Sequence, residues 1–463
     1  MMRLKVLKLV VFLICMIAED RMILAQEFVT PAQDQFNKFT NVANGWCAAD
    51  ATISLLLPDG KTVWLFGDTF IGQKTGDFSI SPVNSRLINN SAIIEDNGLL
   101  SAYYNGTMSS PSSLIPADGE SYFWPEHAII ENDTIKIFAL RVTHQNNETP
   151  GFDFRIGTTR IANFKYPEME YIGSTNIQSV TDTTMRFGAC VLRSGNYTYI
   201  FGVKDTTSGG MTWPLPYLAR CKESINEPWE FYAGNGLWTL RCEDSKPVGD
   251  RPMSESFYVY EKDKKFYLIM HEIWTVGELY ILEADSITGP WNRATSGGKE
   301  TLFATITPQA NLFSYNLFAH PQFQLDGKIL ISFNVNTTNF SSIYSDTRNY
   351  RARFYWLSIT DAVAADYPAS ISLLDCYSSV PIVHPTPMSS KIYFQNATGN
   401  LRFRGIDAKS TITVYGVDGR IYLNRVIYCD SDLNINHLPH GILVVKLQGD
   451  WGLETQKIIN HNP

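Results

Sequence analysis

The chain has 463 residues, of which 18% are charged and 13% aromatic, and a formal net charge of -8. The low charge and high aromatic content exclude a disordered chain, and the negative balance excludes nucleic acid and anionic membrane as main partners. The length suits one large β-domain with an appendage, or about two or three domains.

Arg3, Lys5 and Lys8 precede an apolar run over residues 9–18. This reads as a secretory signal covering residues 1–25, cleaved near Ala25. The run is too short to span a bilayer comfortably. A secreted or cell-surface protein is expected. Cys15 lacks the small residues of a lipoprotein box, so no lipid anchor is expected.

Residues 45–70 follow, with two apolar runs flanking Pro58-Asp59-Gly60. That is a β-hairpin signal. A three-residue loop pairs Ile53 with Leu65, Leu55 with Val63 and Asp50 with Asp68. Opposed residues share a face, with Cβ atoms roughly 4.5–5.5 Å apart. Two carboxylates then sit side by side at the open end of an apolar hairpin, where like charge and burial raise a pKa. A two-residue Asp59-Gly60 loop would instead send the two Asp residues to opposite faces.

The hairpin recurs at residues 123–139, 186–202, 254–272 and 319–334, and each copy is followed by a further strand-like run. Those runs are residues 91–94, 154–159, 215–220, 278–283 followed by 289–291, and 353–357. Five imperfect repeats at about 65-residue spacing predict an all-β fold, a five-bladed β-propeller over residues 35–365. Residues 376–390 are Ser- and Pro-rich and read as a linker. Residues 391–463 carry short alternating runs and read as a small C-terminal β-sandwich. Past the signal stand Cys47, Cys190, Cys221, Cys242, Cys376 and Cys429. Their spacings match no zinc pattern. Cys221 and Cys242 are placed to close a loop if oxidised, and small buried thiols are the equal alternative.

Inner strands of a propeller line its channel, and their starts form one mouth. The hairpin arithmetic brings Asp50 and Asp68 there from blade 1, Trp124 and Glu126 from blade 2, and Arg186 and Asp205 from blade 3. Blade 4 brings Glu255 opposite His271, and blade 5 brings His320. Carboxylates do acid–base work, Arg and His bind hydroxyls and Trp stacks on a sugar ring, so the convergence predicts a carbohydrate site. Asp50, Asp68 and Glu255 are the catalytic candidates. Trp124, Glu126, Arg186, Asp205, His271 and His320 are the substrate-binding candidates. Each has a structural alternative: inter-blade packing for Trp124, a turn cap for Glu126, mutual pairing for Arg186 and Asp205, a satisfied strand histidine for His271. No Gly-x-Ser-x-Gly elbow stands on a strand-to-helix turn. No cofactor is expected, the metal question is left open, and a structural cation in the channel is compatible with the sequence. The two function classes that fit are a secreted glycoside hydrolase and a non-catalytic carbohydrate-binding propeller, each with a polysaccharide or oligosaccharide partner and as a monomer.

Asp50 together with Trp64-Leu65-Phe66-Gly67-Asp68-Thr69-Phe70 resembles the signature of two families of unknown function, numbered 4185 and 5005. The resemblance spans roughly residues 35–365 and implies kinship with five-bladed glycosidases. Characterised relatives of the first family are retaining endo-D-arabinofuranosidases that use two Asp residues of the first blade, and these match Asp50 and Asp68. The second family implies no activity. Glu126, Glu255 and His320 fit the general pattern of such a mouth. The cross-strand spacing favours a retaining pair, one Asp as nucleophile and the other, Asp68 at the strand end, as acid. Glu255 is the first substitute for the acid if the register shifts. Val414-Tyr415-Gly416 to Arg420 and Leu438-Pro439-His440-Gly441 resemble the C-terminal sorting domain of the type IX secretion system, which implies the outer-membrane secretion machinery as a partner.

Overall fold

The computed structural model describes residues 28–145, 154–208, 211–250, 252–272, 277–291, 298–365 and 368–375. Toward the C-terminus it describes 392–395, 400–403, 406, 409–416, 420–428, 431–435, 437–449 and 452–460. The signal (1–25) and linker (376–390) lie outside the described residues.

The first hairpin forms because two alternating apolar runs meet a loop that the sequence can close. Leu57 N–H donates to Lys61 O and Gly60 N–H to Leu57 O, with Gly60 at φ +83°. A side chain is disfavoured at that φ, which is why glycine ends the three-residue loop. The loop sets the register: Ile53 opposes Leu65 and Leu55 opposes Val63. The same register reappears beyond a break, where Ala49 opposes Thr69 and Ala48 opposes Phe70.

Each hairpin forms the two strands at one edge of a sheet, and the five sheets are the blades of a five-bladed propeller. Blade 1 is Ile53–Leu56, Thr62–Phe66, Ser91–Asp96 and Leu99–Tyr103. Blade 2 is Ser121–Glu131, Thr134–His144, Phe154–Lys165 and Glu170–Asn176. Blade 3 is Met185–Ser194, Tyr197–Ser208, Met211–Cys221, Glu230–Gly234 and Leu237–Thr239. Blade 4 is Phe257–Lys262, Lys265–His271, Glu278–Ala284 and Gly298–Thr307, with Ala369–Ser372 alongside in parallel. Residues 289–291 form no strand; Trp291 is buried and donates from Nε1 to Ile287 O. Blade 5 is Leu312–Leu325, Lys328–Thr337 and Arg353–Leu357, and its outermost strand is Val29–Pro31. That strand pairs Val29 with Leu357, so the start of the described chain closes the ring.

Packing lies between blades. Each seam has its own apolar cluster, such as Ile53, Leu65, Phe123 and Ile137 between blades 1 and 2. The seam between blades 5 and 1 is aromatic: Trp64, Phe66, Phe39 and Phe354 pack there. Cys47, Cys190, Cys221 and Cys242 are buried free thiols, so the Cys221–Cys242 loop is not closed. Cys376 and Cys429 lie outside the described residues.

Two connections are enlarged. In blade 1, residues 67–90 form Thr69–Lys74 and Ile80–Ile88, which join Trp46–Ala49 in a small sheet. In blade 5, residues 338–352 carry two 3₁₀ turns, Phe340–Tyr344 and Thr347–Tyr350. The two insertions pack on each other through Phe70, Ile80, Ile343 and Tyr350.

The chain divides at Ser378 into two compact units. The second contains two sheets. One is Ile392–Gln395, Asn400–Phe403 and Ser431–Asn434; the other is Ile421–Ile427, Ser410–Gly416, Gly441–Gly449 and Gly452–Asn460. They share a core of Leu401, Phe403, Ile412, Val414, Val445 and Leu447, a small β-sandwich.

Candidate active site

The break in the first hairpin builds the site. Ala51 and Thr52 both have positive φ, 70° and 52°. Non-glycine residues pay about 1–3 kcal/mol each for such a conformation and hold it only where the surroundings fix them. Here Thr52 Oγ1 bonds Asn334 Oδ1 of blade 5 at 2.9 Å. The kink ends the ladder and leaves Asp50 beside Asp68: Asp50 N–H donates to Asp68 O, and Gly67 N–H to Asp50 O.

The carboxyl of Asp50 accepts from Tyr315 Oη at 2.8 Å and from the Tyr350 hydroxyl. Burial and the charge of Asp68 nevertheless push its pKa up to about 7. Asp68 accepts from Trp124 Nε1 at 3.1 Å and Asn89 Nδ2 at 3.3 Å, both on Oδ1. Its pKa is raised by burial and drawn back by those two donors. Like charges this close hold one proton between them. The repulsion acts on both, and burial raises both, so the pair holds the proton at neutral pH.

Gly67 is part of this geometry. A Cβ there would lie 2.5 Å from Asp50 Oδ1. Gly67→Ala is therefore expected to displace the Asp50 carboxyl and lower turnover about 10²-fold, the usual result of a misplacement near 1 Å. Its melting transition is expected to stay close to the parent's. Steady-state kinetics beside a thermal scan checks both.

A second cluster is joined to the first through the inner strand of blade 2, which carries Trp124 and, two residues on, Glu126. A β-bulge between Pro125 and Ala128 takes Glu126 and His127 out of the ladder. Bulges re-aim side chains in this way. Glu126 is pushed up to about 8 by burial first, then by the charge of Glu255. Arg186 bonds Asp205 with both terminal nitrogens, at 3.0 and 2.8 Å, and Glu255 Oε1 at 2.7 Å. Burial raises the pKa of Glu255, against the pull of Arg186. The mutual pairing of Arg186 and Asp205 is thus present, with Glu255 added to it.

The two histidines stand apart from these clusters. His271 is fully buried, its Nδ1 bonded to Glu272 O and its Nε2 to Ser314 Oγ, both at 2.8 Å. Blade 4 pairs Phe257 with Met270, and continuing that register puts Ser256, not Glu255, opposite His271. The hairpin turns on two residues, Asp263 and Lys264, both at positive φ, and this shifts the pairing by one. His320 is fully buried between Ser54 Oγ (2.6 Å) and Ser332 Oγ (2.8 Å), against the Trp64 ring. Burial pushes its pKa down to about 3. Both rings join elements of the fold and have no free nitrogen to offer a ligand.

Tyr315, Tyr350 and Asn89 are site residues beyond those singled out in the sequence. Tyr315 opposes Asn334 in the fifth hairpin, but two register shifts lie between it and the turn, so the pairing rule does not reach it. Tyr350 sits in the blade 5 insertion, where no periodicity points to it. Among the described residues no cluster of three or more His, Cys, Asp or Glu could hold a metal ion.

No curated protein matches the chain. Among solved structures, a Bacteroides ovatus protein assigned provisionally as a hydrolase is 18% identical, covers 73% of this chain and 93% of its own, and superposes with a TM-score of 0.57. At that identity the likeness is one of fold. More distant are a GH43_1 enzyme from Xanthomonas citri complexed with xylotriose (11% identical, 78% and 99% covered, TM-score 0.41) and a GH43 endo-arabinanase from Bacillus licheniformis (12%, 67% and 93%, 0.34). A family profile described as a domain of unknown function, DUF5005, matches residues 33–359. That span takes in the central hairpin of every blade together with Asp50 and Asp68, and the chain belongs to the DUF5005 family.

Proposed function

We propose that the propeller is a glycoside hydrolase acting on a polysaccharide by a retaining mechanism on the Asp50–Asp68 pair. The observation that carries this reading is two buried carboxyls on opposed backbone segments, each within reach of the other's charge, beside a strained, glycine-lined kink. A sugar-binding module has no use for that arrangement, whereas glycoside hydrolysis needs a carboxyl that keeps a proton and one that does not. Asp50 takes the acid role and gives its proton to the glycosidic oxygen as the bond to C1 breaks. Asp68 is anchored through Oδ1 by Trp124 and Asn89, leaving Oδ2 to attack C1. Asp50 then accepts the proton of the water that cleaves the glycosyl ester. This reverses the expectation from the sequence, which gave Asp68 the acid role.

The test is hydrolysis of a panel of neutral, uronate-containing and amino-sugar polysaccharides, with the first-formed anomer read by NMR. Retained configuration is expected; an inverted first product overturns the mechanism, and no hydrolysis of any member overturns the activity. The pH profile has a defined sign. Asp50 must keep its proton, so kcat/KM is expected to fall as pH rises through about 7. It falls on the acid side as Asp68 becomes protonated.

We further propose that the chain is exported and that the C-terminal sandwich is its sorting element, engaging outer-membrane secretion machinery. The basic, then apolar N-terminal stretch and the C-terminal motifs support this. A chain lacking residues 391–463 is expected to remain in the producing cell; its recovery from the medium in parental amount counts against the proposal.

A further inference from the structure

Glu126, Arg186, Glu255, Phe187, Leu140 and Val203 line a small cavity, and the carboxylates of Asp205 and Glu255 that pair with Arg186 are partly exposed. Two of the cavity's polar atoms are unusual. Glu126 Oε2 and Arg186 Nε are buried and have no hydrogen-bond partner among the described residues. Both side chains are more than nine-tenths buried, at 8% and 7% exposure. A buried polar atom left unpaired costs stability, and native folds seldom keep two in one place without a use for them.

The chemistry of the two atoms narrows what completes them. Arg186 Nε carries a hydrogen and needs an acceptor. Glu126 Oε2 accepts, and donates when the carboxyl holds its proton. The Arg186 cation is already matched by Asp205 and Glu255. A uronate carboxylate would satisfy Arg186 Nε but face the carboxyl groups of Glu126 and Glu255. An ammonium would satisfy Glu126 but offer nothing to Arg186 Nε. A hydroxyl accepts and donates at once, and fits both.

We propose that this cavity is a specificity pocket for one hydroxyl of a neutral sugar unit, which accepts from Arg186 Nε and bonds Glu126 Oε2. The inference rests on the mouth being a carbohydrate site and adds what that site selects: neutral glycan over polyuronate and over amino-sugar polymer. Sites built to bond a hydroxyl reject analogues lacking it strongly, because their buried polar groups are then left unpaired. The bulge in the inner strand of blade 2 is the device that turns Glu126 into this position.

The test is affinity electrophoresis of the full chain, carrying Asp68→Asn to prevent turnover, in gels containing arabinan, xylan, polygalacturonate or chitosan. Retardation by a neutral polymer is expected. In that gel, Glu126→Leu is expected to weaken retardation at least about tenfold and Glu126→Gln, which keeps an acceptor oxygen, by less than about threefold. The leucine variant is also expected to melt at the same or a higher temperature, because it removes an unpaired buried carboxyl. A structural role for Glu126 predicts the opposite, a lower melting temperature. Preference for polygalacturonate or chitosan, undiminished retardation of Glu126→Leu, or a marked loss of its thermal stability each overturns the proposal. Retardation by a neutral polymer that the parent chain does not hydrolyse sinks the catalytic reading alone. Absence of retardation in all four gels sinks the pocket and the carbohydrate reading together.

Discussion

Asp68→Asn is expected to lower kcat by at least about 10³-fold on whichever polysaccharide the parent hydrolyses, within the range that removal of an essential carboxyl produces. Oδ1 of the asparagine still accepts from Trp124 Nε1, so the anchoring contact at 3.1 Å survives. The charge next to Asp50 disappears. The repulsion that raises Asp50 goes with it, and burial is left as the remaining upward push. The variant is therefore expected to fold at least as stably as the parent, with KM little changed and the alkaline limb of any residual activity moved down in pH. Activity within tenfold of the parent removes Asp68 from the mechanism. A comparable loss accompanied by a lower melting temperature assigns it to the fold instead.

Trp64→Ala is expected to be the most damaging single truncation in the ring, costing about 3–5 kcal/mol. Trp64 is fully buried at the seam of blades 5 and 1, stacked on Phe323 with ring centroids 5.4 Å apart and in contact with His320 at 4.8 Å. Its Nε1 donates to Glu95 Oε2 at 2.9 Å. Glu95 then keeps the bond from Lys38 Nζ, at 2.7 Å. The loss thus combines a large cavity with a carboxylate short of a partner. Denaturant titration checks it: a fall in stability below about 1 kcal/mol would mean the seam closes around the gap.

What the sequence disclosed follows from what is local in it. The first hairpin was readable because its alternation and its Pro58-Asp59-Gly60 loop lie within one short stretch, and one register runs from Leu56 and Thr62 through to Ala48 and Phe70. The opposition of Asp50 and Asp68 came with it. The closing strand was not readable: three residues carry no period, and their partner Arg353–Leu357 lies at the far end of the propeller. Pairing arithmetic also presumes an unbroken ladder. Bulges between Pro125 and Ala128, between Phe187 and Cys190 and between His320 and Gln324 shift the residues beyond them, so that Arg186 opposes Val203 rather than Asp205. His271 was misplaced because a two-residue turn looks like a three-residue one until its backbone is seen. Tyr350 comes from an insertion of short 3₁₀ turns, which carry no apolar period.

The closing seam has a temporal meaning. Asp50 and its donor Tyr315 are 265 residues apart in the chain, and Tyr350 comes later still. Contacts of such span form late, because a long loop must be closed before anything rewards it. While the chain is still being made or threaded, Asp50 stands without the phenols that fix it, and blade 1 has no fifth neighbour. On the proposed function, hydrolytic competence then arrives with the last blade rather than gradually, as latency written into chain connectivity. In refolding, regained turnover becomes a clock for ring closure, lagging behind any optical signal that reports the strands of a single blade.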